Sequence, residues 1–183
     1  MYGIELLVKE HDNILRFVSA IRKISTNILE GQKLDVKIFK DILNFGRNYA
    51  DKHHHQKEED ILFKYMLEQP DELAQTLVKY GMIADHQLGR MYSIELEKAI
   101  KSYELSPNLE AKLDIIVNAV SYGNLLIRHI DKENRVAYVY AEKILPKEVK
   151  ELINKESKAF EIACEKENFQ EKYLNLLTKI ENY

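Results

Sequence analysis

Cysteine is almost missing from this chain. Cys164 is the only one, which excludes a disulfide framework, a thiolate zinc site and an iron–sulfur cluster. Tryptophan is absent, and only three prolines and six glycines punctuate the 183 residues. These breakers cluster at a few places and leave long stretches free, which predicts long helices. Alternation of apolar and polar residues, the mark of a strand, is scarcely present anywhere. No uncharged apolar run approaches the ~18 residues of a membrane span. The opening Met1-Tyr2-Gly3-Ile4-Glu5 lacks the basic-then-apolar shape of a signal peptide. Neither sign of charge dominates: 27 Lys and Arg face 30 Asp and Glu, and a net charge of −3 predicts no pull toward nucleic acid or an anionic membrane. The expectation is a soluble, cytoplasmic, single-domain protein whose 45% hydrophobic residues suffice for one sizeable core.

Four long amphipathic patterns account for most of the chain. Residues 4–29 place Ile4, Leu7, His11, Ile14, Val18, Ile21 and Ile28 on one stripe, stopped by Gly31-Gln32. The second pattern, 35–67, starts at the N-cap candidate Asp35 and closes at Pro70-Asp71, with Phe39, Ile42, Leu43, Ala50, His54, Glu58, Ile61 and Tyr65 facing inward. The third, 82–103, carries Met82, His86, Gly89, Ser93, Leu96 and Ile100; Gly81 is a candidate break that would detach 72–80. The fourth, 109–145, shows Ile115, Ala119, Tyr122, Leu126, His129, Glu133, Val136 and Tyr140 and ends at Pro146. Two shorter segments, 148–166 and 169–181, complete the chain. Short connections between long helices make an all-α, antiparallel up-down four-helix bundle the economical fold. The expected division is a bundle over 1–146 and a helical extension over 147–183 packed on it.

All six histidines fall on these four helices. His11, His54, His86 and His129 each replace an apolar residue in an inward stripe. A single buried histidine finds its partners in a core easily, but four imidazoles satisfied together point to a metal. The carboxylates strengthen the point. His54/Glu58 and His129/Glu133 are i,i+4 pairs, so each Glu lies one turn from its His on the same face. Two carboxylates in a core repel each other unless cations neutralise them, and Arg90 is the one cation on the inner stripes. Nitrogen and oxygen ligands without sulfur suit iron, manganese or zinc, and two carboxylates able to bridge suit a pair of ions. His55/Glu59 is an equally spaced pair. Its stripe runs upstream through Asn48 and Lys52, which look solvated, so His54/Glu58 is the preferred register. His53 and His55 are then expected at the margin of the site, exposed or in contact with ligands only.

Four blocks of sequence carry a resemblance: Lys9-Glu10-His11-Asp12, His54-His55-Gln56-Lys57-Glu58-Glu59-Asp60-Ile61-Leu62-Phe63, Asp85-His86-Gln87-Leu88-Gly89-Arg90 and His129-Ile130-Asp131-Lys132-Glu133-Asn134. In order and spacing they resemble the hemerythrin-like, or HHE cation-binding, family, and together they span 9–134. The resemblance implies a four-helix bundle around a non-haem di-iron centre, oxo- or hydroxo-bridged. It makes His11, His54, His86 and His129 nitrogen ligands, and Glu58 and Glu133 bridging carboxylates. The founding hemerythrins have a second histidine one turn beyond the third-helix ligand. Arg90 stands at that place here, so six of seven expected protein ligands are present. A guanidinium cannot ligate iron. The resemblance therefore implies an open position at the metal of His86 and His129, beside Gly89, unless Tyr122 or Glu59 substitutes.

Function follows at two levels. The leading reading is a di-iron protein that binds dioxygen or a related diatomic or peroxide ligand for sensing, storage or scavenging. The alternative is a redox enzyme acting on peroxide or nitric oxide, or iron handling for cluster repair. Ferritin-like di-iron proteins carry Glu-x-x-His at i,i+3, the reverse order and narrower spacing. No additional cluster of acids or nucleophiles is evident beside the expected ligands, so a substrate pocket has no positive sign in the sequence.

Overall fold

The computed structural model describes residues 1–183 and contains helices and connections but no strand. Six helices follow in order: α1 (Tyr2–Leu29), α2 (36–67), α3 (72–105), α4 (109–144), α5 (Lys147–Glu165) and α6 (Phe169–Glu181). Their ends have local causes. Asp35 accepts from the Lys37 N–H at 2.8 Å, Asp71 from that of Ala74 at 2.8 Å, and Asn108 from that of Ala111 at 2.9 Å. Gly31, at φ +112°, turns the chain out of α1. Leu145 is extended ahead of Pro146, which ends α4. No helix is long and apolar enough to cross a membrane.

Within three of these helices the hydrogen bonding loosens to the π pattern, over Gly46–His55 and Glu58–Phe63 in α2, Leu77–Met82 in α3 and Glu133–Ala137 in α4. The N–H of Tyr138, for instance, reaches back five residues to the Glu133 carbonyl. Each such turn takes up extra chain and moves the inward face along by a residue. Gly81 therefore does not break the third helix; a π stretch absorbs it and α3 starts at residue 72. In α4 the stripe expected to continue through Val136 and Tyr140 moves to Ala137, Tyr138 and Ala141, leaving Val136 half exposed.

Helices α1 and α3 each pack against both α2 and α4, α5 lies against α1 and α2, and α6 lies against the same two. The apolar core has two parts. One gathers Ile14, Phe17, Phe39, Phe45, Leu96 and Ile115 with Leu177 and Ile180 of α6. The other gathers Leu7, Phe63, Met66, Met82 and Tyr138 with Ile153 of α5. Between them lies a layer of buried polar side chains: Glu10, His11, the 53–55 histidines, Lys57, Glu58, His86, His129 and Glu133. Burying such groups is costly unless they are paired or bound to a cation.

Candidate metal centre

Five imidazoles and two carboxylates meet in this layer. One group is His11, His54, Glu58 and Glu133; the other is His55, Glu58, His86 and His129. In each, one ligand-capable atom per residue lies within 4.8 Å of all the others, and every member is buried. Glu58 belongs to both groups: its Oε2 is 3.5 Å from His54 Nε2 and 3.4 Å from His86 Nε2. Glu133 spans them as well, with Oε2 at 3.2 Å from His11 Nε2 and Oε1 at 3.1 Å from His129 Nε2.

Outer partners aim four of the rings. His11 Nδ1 donates to Asn134 at 2.9 Å, His54 Nδ1 to Glu10 at 2.9 Å, His86 Nδ1 to Glu59 at 2.6 Å and His129 Nδ1 to Asp85 at 3.3 Å. A carboxylate or amide oxygen can only accept, so each Nδ1 carries the proton and each Nε2 lone pair points inward. His55 comes from the opposite side and stacks on His86, ring centroids 3.9 Å apart. Tyr138 closes the end of the site, its hydroxyl donating to Glu58 at 2.5 Å.

The centre is short of partners by just the amount a cation would supply. His54 Nε2, both nitrogens of His55, Glu58 Oε2 and both oxygens of Glu133 are buried without any hydrogen bond. His86 Nε2 and His129 Nε2 face each other at 3.0 Å. In the metal-free chain one of these two nitrogens must carry a proton to hold that contact, whereas a bound ion would take the lone pair of each. The residues present thus fit a metal, and the donor set, imidazole and carboxylate without sulfur, suits iron, manganese or zinc.

Electrostatics agree. Burial opposes charge on His129, but Glu133 and Asp85 prevail and push its pKa up to about 9. At His86 burial is again outweighed, by Glu133, Glu58 and Glu59, and the pKa is raised well above its ordinary value. Glu133 is held well below the usual carboxylate range, burial notwithstanding, by His129, His11 and His86. In the metal-free chain the carboxylates favour protons on three imidazoles, His11, His86 and His129; a dication answers the same negative potential. His55 behaves oppositely, pushed well below 6.5 by burial and by His86, His129 and His54, so the ring stays neutral and one nitrogen keeps its lone pair.

The structure brings His11, His54, Glu58, His86, His129 and Glu133 together, and it departs from the sequence reading around them. His55, expected at the margin, is 3% exposed and stands in the group with His86 and His129. His53 is buried too, facing Glu10 and the rings of Phe160 and Phe169 rather than solvent. Neither Tyr122 nor Glu59 fills the place left by Arg90: Tyr122 is a buried core side chain and Glu59 supports His86 from outside. Arg90 turns away from the centre to Asp51 and Glu59, at 2.8 Å from each. The carboxylates Glu10, Glu59 and Asp85 also supply the cluster of acids that the sequence did not reveal. Lys57, absent from every inward stripe, is buried at 1% exposure. Asp85 and Glu59, each adjacent in sequence to a histidine or glutamate of the site, were the signal available for the outer partners.

Helices packed around a buried imidazole–carboxylate centre define a helical cation-binding protein. The family model of the hemerythrin HHE cation binding domain matches residues 2–141, and the chain belongs to that family. Searches of curated proteins and of solved structures returned no match.

Proposed function

We propose that α1 to α4 form an antiparallel up-down four-helix bundle holding two iron ions, and that the pair binds dioxygen or a related small ligand for sensing, storage or scavenging. One ion is held by His11 and His54, the other by His55, His86 and His129, with Glu58 and Glu133 shared. The observation that carries this reading is the set of inward, unpartnered nitrogen and oxygen atoms divided into two groups with a common carboxylate. His55 brings the protein donors to seven, the number expected of the founding hemerythrins, by a different helix from the one that supplies it there. Two irons so held would supply reversible electron transfer to a small ligand.

The chain's own residues supply the rest. Asn134, Glu10, Glu59 and Asp85 fix ring orientation. Tyr138 donates to Glu58 and so fixes which Glu58 oxygen is left for metal. The flanking apolar clusters exclude bulk water from the polar layer. A cleft of about 240 Å³ between α2 and α3, lined by Asp51, His55, Gly89, Arg90, Ser93 and Tyr122 among others, gives a small molecule an approach as far as His55. The test is a visible spectrum of the anaerobically reduced, iron-loaded protein before and after admission of air. A new band that disappears on returning to vacuum supports small-ligand binding; rapid irreversible oxidation overturns it in favour of redox turnover.

A further inference from the structure

A third group of possible metal donors, Glu10, His53 and Glu161, lies beside the centre, where α1 and α2 meet α5. It already contains a cation. The Lys57 ammonium bonds Glu10 on one side and Glu161 on the other, the latter at 2.5 Å, and it is 1% exposed. Glu10 is the branching point. Its Oε2 accepts from His54 Nδ1 at 2.9 Å, while its Oε1 faces His53 Nε2 at 3.0 Å and takes the Lys57 bond. On the far side Gln170 of α6 bonds both His53 and Glu161 at 3.1 Å. An unbroken set of contacts therefore runs from α5 and α6, through Lys57 and His53, to Glu10 and on to His54.

We infer that Glu10 is the positioning residue of His54, and that the C-terminal helix pair sets its placement through the Glu161–Lys57–Glu10 relay, so that α5 and α6 tune the ion held by His11 and His54. The inference rests on the proposal that His54 holds a metal. Its physical basis is that a buried carboxylate held by an imidazole N–H on one oxygen and an ammonium on the other has little freedom. Removing the charge of Glu161 leaves the Lys57 ammonium with one carboxylate instead of two, and Glu10 shifts toward it at the expense of His54. The other ion has no such link, since its outer partners Asp85 and Glu59 lie on the bundle helices.

The test is titration of the metal-free, full-length protein with Co(II), whose visible bands report coordination geometry. The wild type binds two ions. Asp85→Asn, acting through His129, identifies the bands of the second ion. Glu10→Gln weakens the first ion about 10–100-fold, as loss of an outer partner does, and shifts its bands. Glu161→Gln, at a partly exposed position, weakens the same ion at the low end, about tenfold or less. It keeps the test alive should Glu10→Gln fail to fold. Glu181→Gln cuts a different tie of α6 to the bundle, the pair with Arg16, and leaves both ions as in the wild type. Glu161→Gln with wild-type affinities and bands would overturn the relay, as would an effect confined to the second ion. Three Co(II) per chain, the third lost in Glu161→Gln, would overturn it too and make the group a metal site. A wild type that binds no Co(II) defeats the two-metal reading itself, a result distinct from unchanged variants of a protein that binds two.

Discussion

His55 has two ring nitrogens, neither with a hydrogen-bond partner, and three other imidazoles around it. An imidazole so placed is a liability in a metal-free core, and the proposed centre makes it a ligand. His55→Ala should lose one of two bound ions during dialysis against a chelator, because deleting a ligand costs at least the 10–100-fold of deleting an outer partner. Arg90→Gln, in contrast, should keep both, since the guanidinium points to Asp51 and Glu59 and holds no lone pair for a metal. Metal analysis of the two dialysed variants checks the pair. His129 gives a pH signature. Its pKa rises from an ordinary 6.5 to about 9 on folding. A raised pKa contributes stability that is fully present below 6.5 and is lost as pH climbs through 9. Metal binding gains over the same window, because it needs the unprotonated ring. Thermal melts should therefore show the loaded protein pulling further ahead of the metal-free one between pH 6.5 and 9. A gap that narrows over this window would contradict the assignment of His129.

Helix α2 positions more of the centre than any other element, and it does so with irregular backbone. Its π stretches turn His53 toward α5 and α6, His54 toward α1 and His55 toward α3. π turns inside α-helices often mark functional sites. Gly46 lies in this stretch: a Cβ there would meet Tyr122 Cε1 at 3.0 Å and its hydroxyl at 3.3 Å. The Tyr122 ring is buried, so it yields poorly, and Gly46→Ala should destabilise by about 1–3 kcal/mol in urea unfolding. At Gly81 the nearest atom is 3.9 Å away. Gly81→Ala should stabilise by about 0.5–1 kcal/mol, the ordinary gain of a helical alanine over glycine. Equal effects at the two positions would contradict this packing.

The same element shows where a sequence stops being readable. Asp35, Pro70 and Pro146 mark helix ends through purely local chemistry, and those ends stand within about two residues of expectation. The stripes through His11, His54, His86 and His129 obey the 3.6-residue period, so their inward direction was legible. His55 was not, because a period of 3.6 assigns one face to a helix and π turns add another. Val136 and Tyr140 fell off their stripe for the same reason. Lys57 and His53 look solvated on α2 considered alone, and only the covering helices α5 and α6, a tertiary fact, bury them.

At the scale of the molecule, α6 contributes to the main core as many residues as α3 does, Tyr173, Leu177 and Ile180, with Leu177 and Ile180 wholly buried. Leu177→Ala should then cost about 2–5 kcal/mol, the range for a buried leucine, in a single cooperative transition. A separate early transition with the rest unchanged would show α6 to be an appendage. Such a core holds a polar layer at its centre, whose orphaned atoms are costly in the metal-free state. Occupancy by ions that bind only the folded chain removes that cost and raises stability by mass action.

The central claim is that five histidines and two glutamates hold a pair of ions. It is tested most directly by metal analysis of the purified protein after growth in iron-replete medium, with protein concentration fixed by amino-acid analysis. The account predicts close to two ions per chain, iron foremost; one ion or none, in protein that folds normally, would contradict it.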